Sequence, residues 1–155
     1  MNKKLVYLDH AATTPVLPEV VLAMEPYWSA VAANPSSLHR CGQGAIAALD
    51  EAREGLQKFV GACSAREIIF TGSATEANNL ALRGSILKSK IKKPHIITTA
   101  IEHASVLEPL RALEREGRAE IEYAAPDEYG MVNSDDIESR VRETTALVSV
   151  GYANN

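Results

Sequence analysis

The chain has little cysteine, no excess of basic residues and no long apolar run. Its 155 residues include only two cysteines, Cys41 and Cys63, with no Cys-x-x-Cys pair and no Cys/His cluster. This cysteine usage predicts a reduced, cytoplasmic protein without a metal site. Its 16 Lys and Arg residues are outnumbered by 20 Asp and Glu residues, and the net charge is −4. Since no basic stripe is present, nucleic acid is not expected as a partner.

Membrane association is not expected either. No apolar run is long enough to span a bilayer, and the two lysines at the N-terminus are not followed by the apolar region of a signal peptide. A length of 155 residues predicts about one domain, which is enough to bury a core.

A strand, a tight turn and a capped helix are predicted around residues 68–79. Ile68–Phe70 is a short β-branched apolar run typical of a buried strand, and Gly72 would end it. Ser73 stands three residues before Glu76, which is the pattern of a capping box. The apolar residues that follow recur at helical spacing: Ala77, Leu80, Ala81 and Leu87.

The start of such a helix can bind an anion. It offers unpaired backbone N–H groups and the positive end of the helix dipole, and Thr75 in the first turn adds a hydroxyl donor. A phosphate is the most frequent ligand of this kind of site. The stretch is not a P-loop, and on its own it is equally compatible with a well-capped helix that binds nothing.

Strands and helices are predicted to alternate along the rest of the chain. The strand candidates are Val6–Leu8, Ile68–Phe70, His95–Thr99, Glu120–Tyr123 and a last buried strand at Thr145–Val150. A first helix is predicted from Pro18, with one face formed by Val20, Val21, Met24, Tyr27 and Trp28. A second is predicted from near Gln43 to Gly61, with an inward face of Ile46, Leu49, Leu56, Phe59 and Val60. Further helices are predicted from Ala74, around Val106, Leu107, Leu110 and Leu113 up to Gly117, and from a cap at Ser134 to Val141. The run Lys88–Lys93 is interpreted as a solvated helix end. The alternation predicts βαβ units and a largely parallel sheet.

Three pairs of residues follow strands at the same edge of this predicted sheet. They are Ala74 and Thr75, Glu102 and His103, and Asn154 and Asn155. Ligands of parallel sheets bind outside the carboxyl ends of the strands, so the convergence favours a site. Taken alone, His103 could be a histidine at a helix start and Asn154 a turn asparagine, neither with a role.

Five motifs in this order resemble the cysteine desulfurases of the NifS/IscS type. The motifs are Tyr7–Pro15, Asn34–His39, Phe70–Asn79, Glu102–His103 and Ala153–Asn155. These enzymes belong to the class V aminotransferase group of pyridoxal-phosphate (PLP) enzymes. The resemblance implies a three-layer α/β/α fold of PLP fold type I, which is usually homodimeric. It also implies transfer of sulfur from L-cysteine, with release of alanine, through an enzyme persulfide to an acceptor protein in iron–sulfur cluster assembly or thiolation.

The resemblance covers the whole chain but only the N-terminal part of the family's length. It implies that residues 1–15 contribute to the small domain at the edge of the active site. Residues 16–155 would form the N-terminal part of the PLP-binding large domain, with an incomplete sheet.

The resemblance also implies a role for each site residue. Ala74, through its backbone, and Thr75 match the positions that hold the cofactor phosphate. His103 matches a histidine that stacks on the pyridine ring and moves protons, and Asn154 matches an amide that hydrogen-bonds the ring oxygen. Many relatives read Thr-Ser-Gly where this chain has Thr71-Gly72-Ser73. The order here still provides a turn glycine and a serine cap.

The family's catalytic lysine is missing from the 155 residues. In the family it lies in a Ser-x-His-Lys run, whereas no lysine of this chain follows a histidine. Cys41 and Cys63 do not match the persulfide position. The chain is therefore expected to be an N-terminal fragment that is inactive alone. The alternatives are a selenocysteine lyase or another class V aminotransferase, a non-catalytic half of a split enzyme, and, more weakly, a nucleotide-binding module without the Gly-x-Gly-x-x-Gly turn.

Overall fold

The computed structural model describes residues 6–30 and 32–153. The chain divides into two compact units, Met1–Ile69 and Phe70–Asn155. The assignment of residues 1–15 and 16–155 to the domains of a larger fold stays a prediction. Among the described residues, no helix is both long enough and apolar enough to cross a membrane.

The described part of the first unit contains two helices and a short 3-10 helix. Helix α1 is Pro18–Trp28, with Pro18 at its first position as predicted. Helix α2 is Arg40–Val60, and the 3-10 helix is Ala65–Glu67. Helix α2 begins three residues earlier than predicted because His39 caps it, its Nδ1 accepting a hydrogen bond from the Gly42 N–H at 3.4 Å.

The end of α2 is as predicted, but its apolar face is inward only in part: Ile46 and Leu49 are half-buried. Gly61 follows the helix in the left-handed conformation, with φ 70°, which a glycine adopts without strain. Leu56, Phe59 and Val60 are exposed, Phe59 to 87%. Helical spacing identifies a face, but the face is buried only where another element covers it, and among the described elements α2 packs mainly against the short 3-10 helix.

Two of the predicted strands are wrong. Val6–Leu8 has no regular secondary structure. Ile68 is extended, with φ −88° and ψ 113°, yet Ile68–Phe70 belongs to no strand of the described sheet. β-Branched composition favours extended backbone, but a strand also needs a neighbouring strand at ladder distance, which local sequence does not report.

The second unit is built on a parallel sheet of three strands. Its elements in chain order are α3 (Ala74–Lys88), β1 (His95–Thr99), α4 (Ala104–Arg115), β2 (Glu120–Ala124), α5 (Ser134–Arg140) and β3 (Thr145–Ser149). The strand order is β2–β1–β3, and both pairings of the central strand are parallel. This confirms the predicted alternation of strands and helices and the parallel sheet.

The core of this unit lies between one face of the sheet and helices α3 and α4. Ile96 of β1 pairs with Ile121 of β2, and the buried side chains of α3 and α4 pack on them. These helix residues are Leu82, Ile86, Val106, Leu110 and Leu113. The buried face of α4 is as predicted, and Gly117, with φ 66°, follows its end. In α3 the buried positions are Leu82 and Ile86, whereas Leu80 and Leu87 are exposed.

Other predicted details at the ends of the chain's elements need correction. Strand β3 is half exposed rather than buried, because the described sheet flanks it on one side only. The cap of α5 is Asn133, whose side-chain oxygen accepts from the Asp135 N–H at 2.8 Å, and Ser134 is the first helical residue. Lysines 88, 90, 92 and 93 are exposed, as interpreted from the sequence.

The opposite face of the sheet carries a polar network. His95 is fully buried, with Nε2 at 3.1 Å from a Glu122 carboxylate oxygen and Nδ1 at 2.9 Å from the Thr145 hydroxyl. Arg140 of α5 donates to Glu122 at 2.7 Å, and hydrogen bonds to Asp136 and Glu122 raise the pKa of the Arg140 guanidinium. Side chains alternate across a strand, so this network lies opposite Ile96. Helices therefore face both sides of the sheet, which confirms the three-layer α/β/α arrangement.

Candidate functional site

The turn before α3 is closed by its own side chains. The Ser73 hydroxyl accepts from the Glu76 N–H at 3.2 Å, and the Glu76 carboxylate accepts from the Gly72 N–H at 2.7 Å. The Thr71 hydroxyl donates to the Ser73 carbonyl at 2.9 Å. The capping box predicted from the sequence is thus formed, with the carboxylate reaching one residue further back than the cap itself.

The first turn of α3 keeps donors available for a ligand. Within the described residues, the N–H groups of Ala74 and Thr75 and the Thr75 hydroxyl donate no hydrogen bond to the protein, while the Thr75 carbonyl accepts from Asn79 at 3.0 Å. Together with the helix dipole, these groups can hold an anion. The Glu76 carboxylate in the same turn adds an opposing negative charge.

His103 lies at the start of α4 and is held by hydrogen bonds to one ring nitrogen, Nδ1. Its Nδ1 accepts from the Ser105 N–H at 3.1 Å and lies 2.8 Å from the Ser105 hydroxyl oxygen. Asn78 of α3 donates to that same hydroxyl oxygen at 2.8 Å. The start of α4 is thereby linked to α3, and the imidazole Nε2 has no protein partner in the part of the chain that the structure describes.

Thr75 and His103 line the same cavity of about 520 Å³. Arg83 and Arg115 bring positive charge to its wall and Glu108 brings negative charge. The structure therefore brings together two of the residues singled out from the sequence. The Ala74 side chain does not line this cavity, and Asn154 lies outside the described residues.

A second cavity of about 910 Å³ opens at the carboxyl ends of β1 and β3. His103 also lines this cavity, together with Thr99, Glu102, Tyr152 and Ala153 among others. His103 therefore lies between the two cavities. No lysine is among the residues that line either one in the described part of the chain.

Glu102 joins the ends of β1 and β3. One oxygen of its carboxylate accepts from the Thr99 hydroxyl at 2.9 Å and from the Gly151 N–H at 2.7 Å. A Cβ atom at position 151 would lie 3.1 Å from the other oxygen, so glycine suits this contact. The Glu102 side chain thus connects the residues after β3 to the end of β1.

Replacing Glu102 with alanine is expected to lower the free energy of unfolding by about 1–3 kcal/mol, because the two donors lose a shared acceptor. Glu102→Gln keeps a side-chain oxygen and is expected to lose less than Glu102→Ala. Urea denaturation followed by circular dichroism measures both variants. Glu108→Ala is the matched control, since that carboxylate is exposed and pairs with Arg111 of the same helix. Equal stability of Glu102→Ala and Glu108→Ala would contradict the assignment.

Comparison with known proteins places this chain in a family. The sequence profile of the family described as Aminotransferase class-V matches residues 6–155. The chain belongs to the class V aminotransferase family. This class V chain is 46% identical over 153 residues to the cysteine desulfurase IscS of Dictyoglomus turgidum, covering 99% of the chain and 38% of that relative. It thus spans well under half the length of the curated relatives it matches.

Solved structures agree with this assignment. The class V chain superposes on a structure titled NIFS-like protein with a TM-score of 0.86 and 37% identity, covering 94% of this chain and 39% of that one. A structure titled SspA in complex with cysteine gives a TM-score of 0.84 at 37% identity, covering 93% of this chain and 41% of that one. The predicted resemblance and the predicted fold are both confirmed.

Sequence reasoning did not identify Asn78 or Ser105 as parts of the site. The two residues are 27 positions apart and meet only because α3 packs on α4. The local sequence feature that could have indicated the Ser105 contact is a serine two residues after a histidine at a helix start. In that position the backbone N–H of the serine can donate a hydrogen bond to the imidazole.

Proposed function

We propose that this chain supplies phosphate-holding and ring-facing residues of a PLP-dependent cysteine desulfurase, an enzyme that takes sulfur from L-cysteine and releases alanine. The observation that carries the proposal is the cavity shared by Thr75 and His103. Relatives named cysteine desulfurase, and a similar structure titled as a complex with cysteine, support the choice of reaction and substrate.

The residues of the site fit the cofactor. The backbone N–H groups of Ala74 and Thr75 and the Thr75 hydroxyl would hold the phosphate, with Arg83 and Arg115 offsetting the nearby carboxylates. His103 is exposed and would lie against the pyridine ring. Asn154 would hydrogen-bond the ring oxygen.

His103 is the proposed catalytic residue of this chain. When bound, PLP supplies an electron sink for reactions at the carbon next to the substrate nitrogen. The His103 imidazole can accept and donate a proton, and its Nε2 is the nitrogen left for that task. The link through Ser105 to Asn78 fixes the ring so that this nitrogen stays at the cavities.

The other parts of the activity are proposed from the relatives. The lysine that binds the cofactor and the cysteine that carries the persulfide would be supplied by sequence that these 155 residues do not contain. A homodimer, a sulfur-acceptor protein, a role in iron–sulfur cluster assembly or thiolation and a cytoplasmic location are proposed with it. A selenocysteine lyase or another class V aminotransferase is the second candidate, since the same phosphate and ring contacts would serve either.

Thr75→Val is expected to weaken non-covalent binding of PLP by about 10- to 150-fold, because a hydrogen bond to a charged group contributes about 1.5–3 kcal/mol. His103→Ala is expected to weaken it as well, through loss of ring contact. Isothermal titration calorimetry of the 155-residue chain measures the affinity. Thr144→Val is the control, since Thr144 lines neither cavity. Unchanged affinity in both site variants would contradict the proposed cofactor site.

A second measurement separates a desulfurase from a non-catalytic partner. The chain alone is expected to release no alanine or sulfide from L-cysteine, because no lysine lines the described cavities. Activity is expected on co-expression with a polypeptide that carries the Ser-x-His-Lys region of a relative. Turnover by the chain alone, with PLP trapped by borohydride on one of its own lysines, would overturn this assignment.

A further inference from the structure

We propose that Ser105 and Asn78 are positioning residues that fix the imidazole of His103 in the tautomer with its proton on Nε2. The group that His103 presents to the two cavities is then an N–H donor. Which reaction this donor serves rests on the proposed function, whereas the tautomer itself follows from contacts within the chain.

The backbone of Ser105 decides which ring nitrogen is an acceptor. A backbone N–H can only donate, and the N–H of Ser105 points at Nδ1 of His103 from 3.1 Å. A neutral imidazole has one N–H and one acceptor nitrogen. Since Nδ1 accepts, the ring proton is on Nε2.

The hydroxyl of Ser105 can also favour the tautomer with the proton on Nε2. Its oxygen accepts from the Asn78 side-chain amide at 2.8 Å and lies 2.8 Å from Nδ1. With the Asn78 amide donating to the oxygen, the single hydroxyl hydrogen can point to Nδ1, where the backbone N–H of Ser105 already donates. A proton on Nδ1 would face the backbone N–H of Ser105, which can only donate, and this is the unfavourable arrangement.

The hydrogen bonds from Asn78 through Ser105 to His103 involve residues on two packed helices. Ser105 is buried, and its neighbours Val106 and Leu107 belong to the buried face of α4. Asn78 is half-buried on α3, the helix that packs against α4. The hydrogen bonds therefore connect His103, the cap residue of α4, to side chains on two helices that pack on each other.

The fixed tautomer restricts which groups of a bound molecule can hydrogen-bond to Nε2 of His103. An atom that approaches Nε2 must accept a hydrogen bond, as an anionic oxygen or a thiolate sulfur does, whereas a protonated amine would meet the donor unfavourably. Under the proposed function, the ring would thus engage the sulfur or an oxygen of the bound molecules rather than an ammonium group.

Nuclear magnetic resonance of the chain labelled with 15N tests the tautomer without any cofactor. Two-bond correlations identify which ring nitrogen of His103 is protonated, at about pH 8 where histidine is neutral. The loss of signals in His103→Gln assigns the ring among the four histidines. We expect a protonated Nε2 and a scalar coupling between the Ser105 amide nitrogen and Nδ1 across their hydrogen bond.

Variants separate positioning from a general effect on folding. Ser105→Ala is expected to raise the population of the Nδ1-protonated form relative to the Nε2-protonated form about fivefold, which corresponds to one hydrogen bond of about 1 kcal/mol. Asn78→Ala is expected to shift the ratio in the same direction, and Ser105→Thr is expected to restore it because it keeps the hydroxyl. Ser85→Ala is the control, since its hydroxyl bonds within α3 to the Ala81 carbonyl.

Two results would overturn the proposal. The first is a wild-type His103 with its proton on Nδ1, and the second is a tautomer ratio that is the same in Ser105→Ala, Asn78→Ala and wild type. The amide spectrum of each variant shows whether it is folded. Since neither measurement involves PLP, failure here leaves the proposed cofactor site standing, and failure of PLP binding leaves the tautomer result standing.

Discussion

Replacing Gly42 with alanine is expected to destabilise the start of α2 by about 1–3 kcal/mol, the usual cost of forcing extra volume into a packed position. A Cβ atom at position 42 would overlap the carbonyl oxygen of Ser37 and lie 2.7 Å from the Ser37 Cβ. These contacts are with the backbone and with a rigid side-chain atom, so a rotamer change cannot relieve them. The first turn of α2 or the segment before it has to move.

Gly44→Ala is the matched control because it makes the same chemical change two residues along the same helix. A Cβ atom at position 44 would meet nothing within 4 Å. Alanine is favoured over glycine in a helix interior by about 1 kcal/mol, so Gly44→Ala is expected to stabilise α2. Hydrogen exchange of the α2 amides measures both variants. Slower exchange in both, or the same loss of protection in both, would contradict the close approach at Gly42.

Leu82→Ala is expected to lower the free energy of unfolding of the second unit by about 2–5 kcal/mol. Leu82 is 3% exposed and belongs to the cluster formed by α3, α4 and the sheet. Removing its methyl groups leaves a cavity between α3, α4 and the sheet. Because these elements also pack on one another, they can close the cavity only in part.

Leu87→Ala tests the same substitution on the exposed side of α3. Leu87 is 72% exposed and is expected to change stability by less than about 0.5 kcal/mol. Urea denaturation followed by circular dichroism compares the two variants in the same chain. A larger loss in Leu87→Ala than in Leu82→Ala would show that the buried face of α3 has been assigned incorrectly.

The features that the sequence predicted well are those decided within a few residues. The Ser73 and Glu76 cap, the glycines after α2 and α4, and the strand at His95–Thr99 follow from local backbone chemistry and from short apolar runs. The buried face of α4 was also correct because its apolar residues recur with a clear helical period.

The features that it did not predict depend on distant partners. Ile68–Phe70 has the composition of a strand, but the described sheet does not include it. Leu87 fits the helical spacing of α3 and Phe59 that of α2, and both lie exposed because no described element of their own unit covers them. The link from Asn78 through Ser105 to His103 joins two helices and could not be read from either one. His103 was identified because it follows β1 at the carboxyl edge of the sheet, whereas Thr75 was identified from the capped start of α3, although the strand predicted before it does not form.

The strand order β2–β1–β3 also has a consequence for how the sheet assembles. In the register of the sheet, His95 of the central strand pairs with Glu120, which is 25 residues away, and with Thr145, which is 50 residues away. Closing the longer loop costs about 0.6 kcal/mol more chain entropy, because the cost rises slowly with loop length. The shorter loop also carries α4, whose apolar face can dock as the two strands meet. We therefore expect β1, α4 and β2 to form first during folding, with β3 added last to a surface that is already in place.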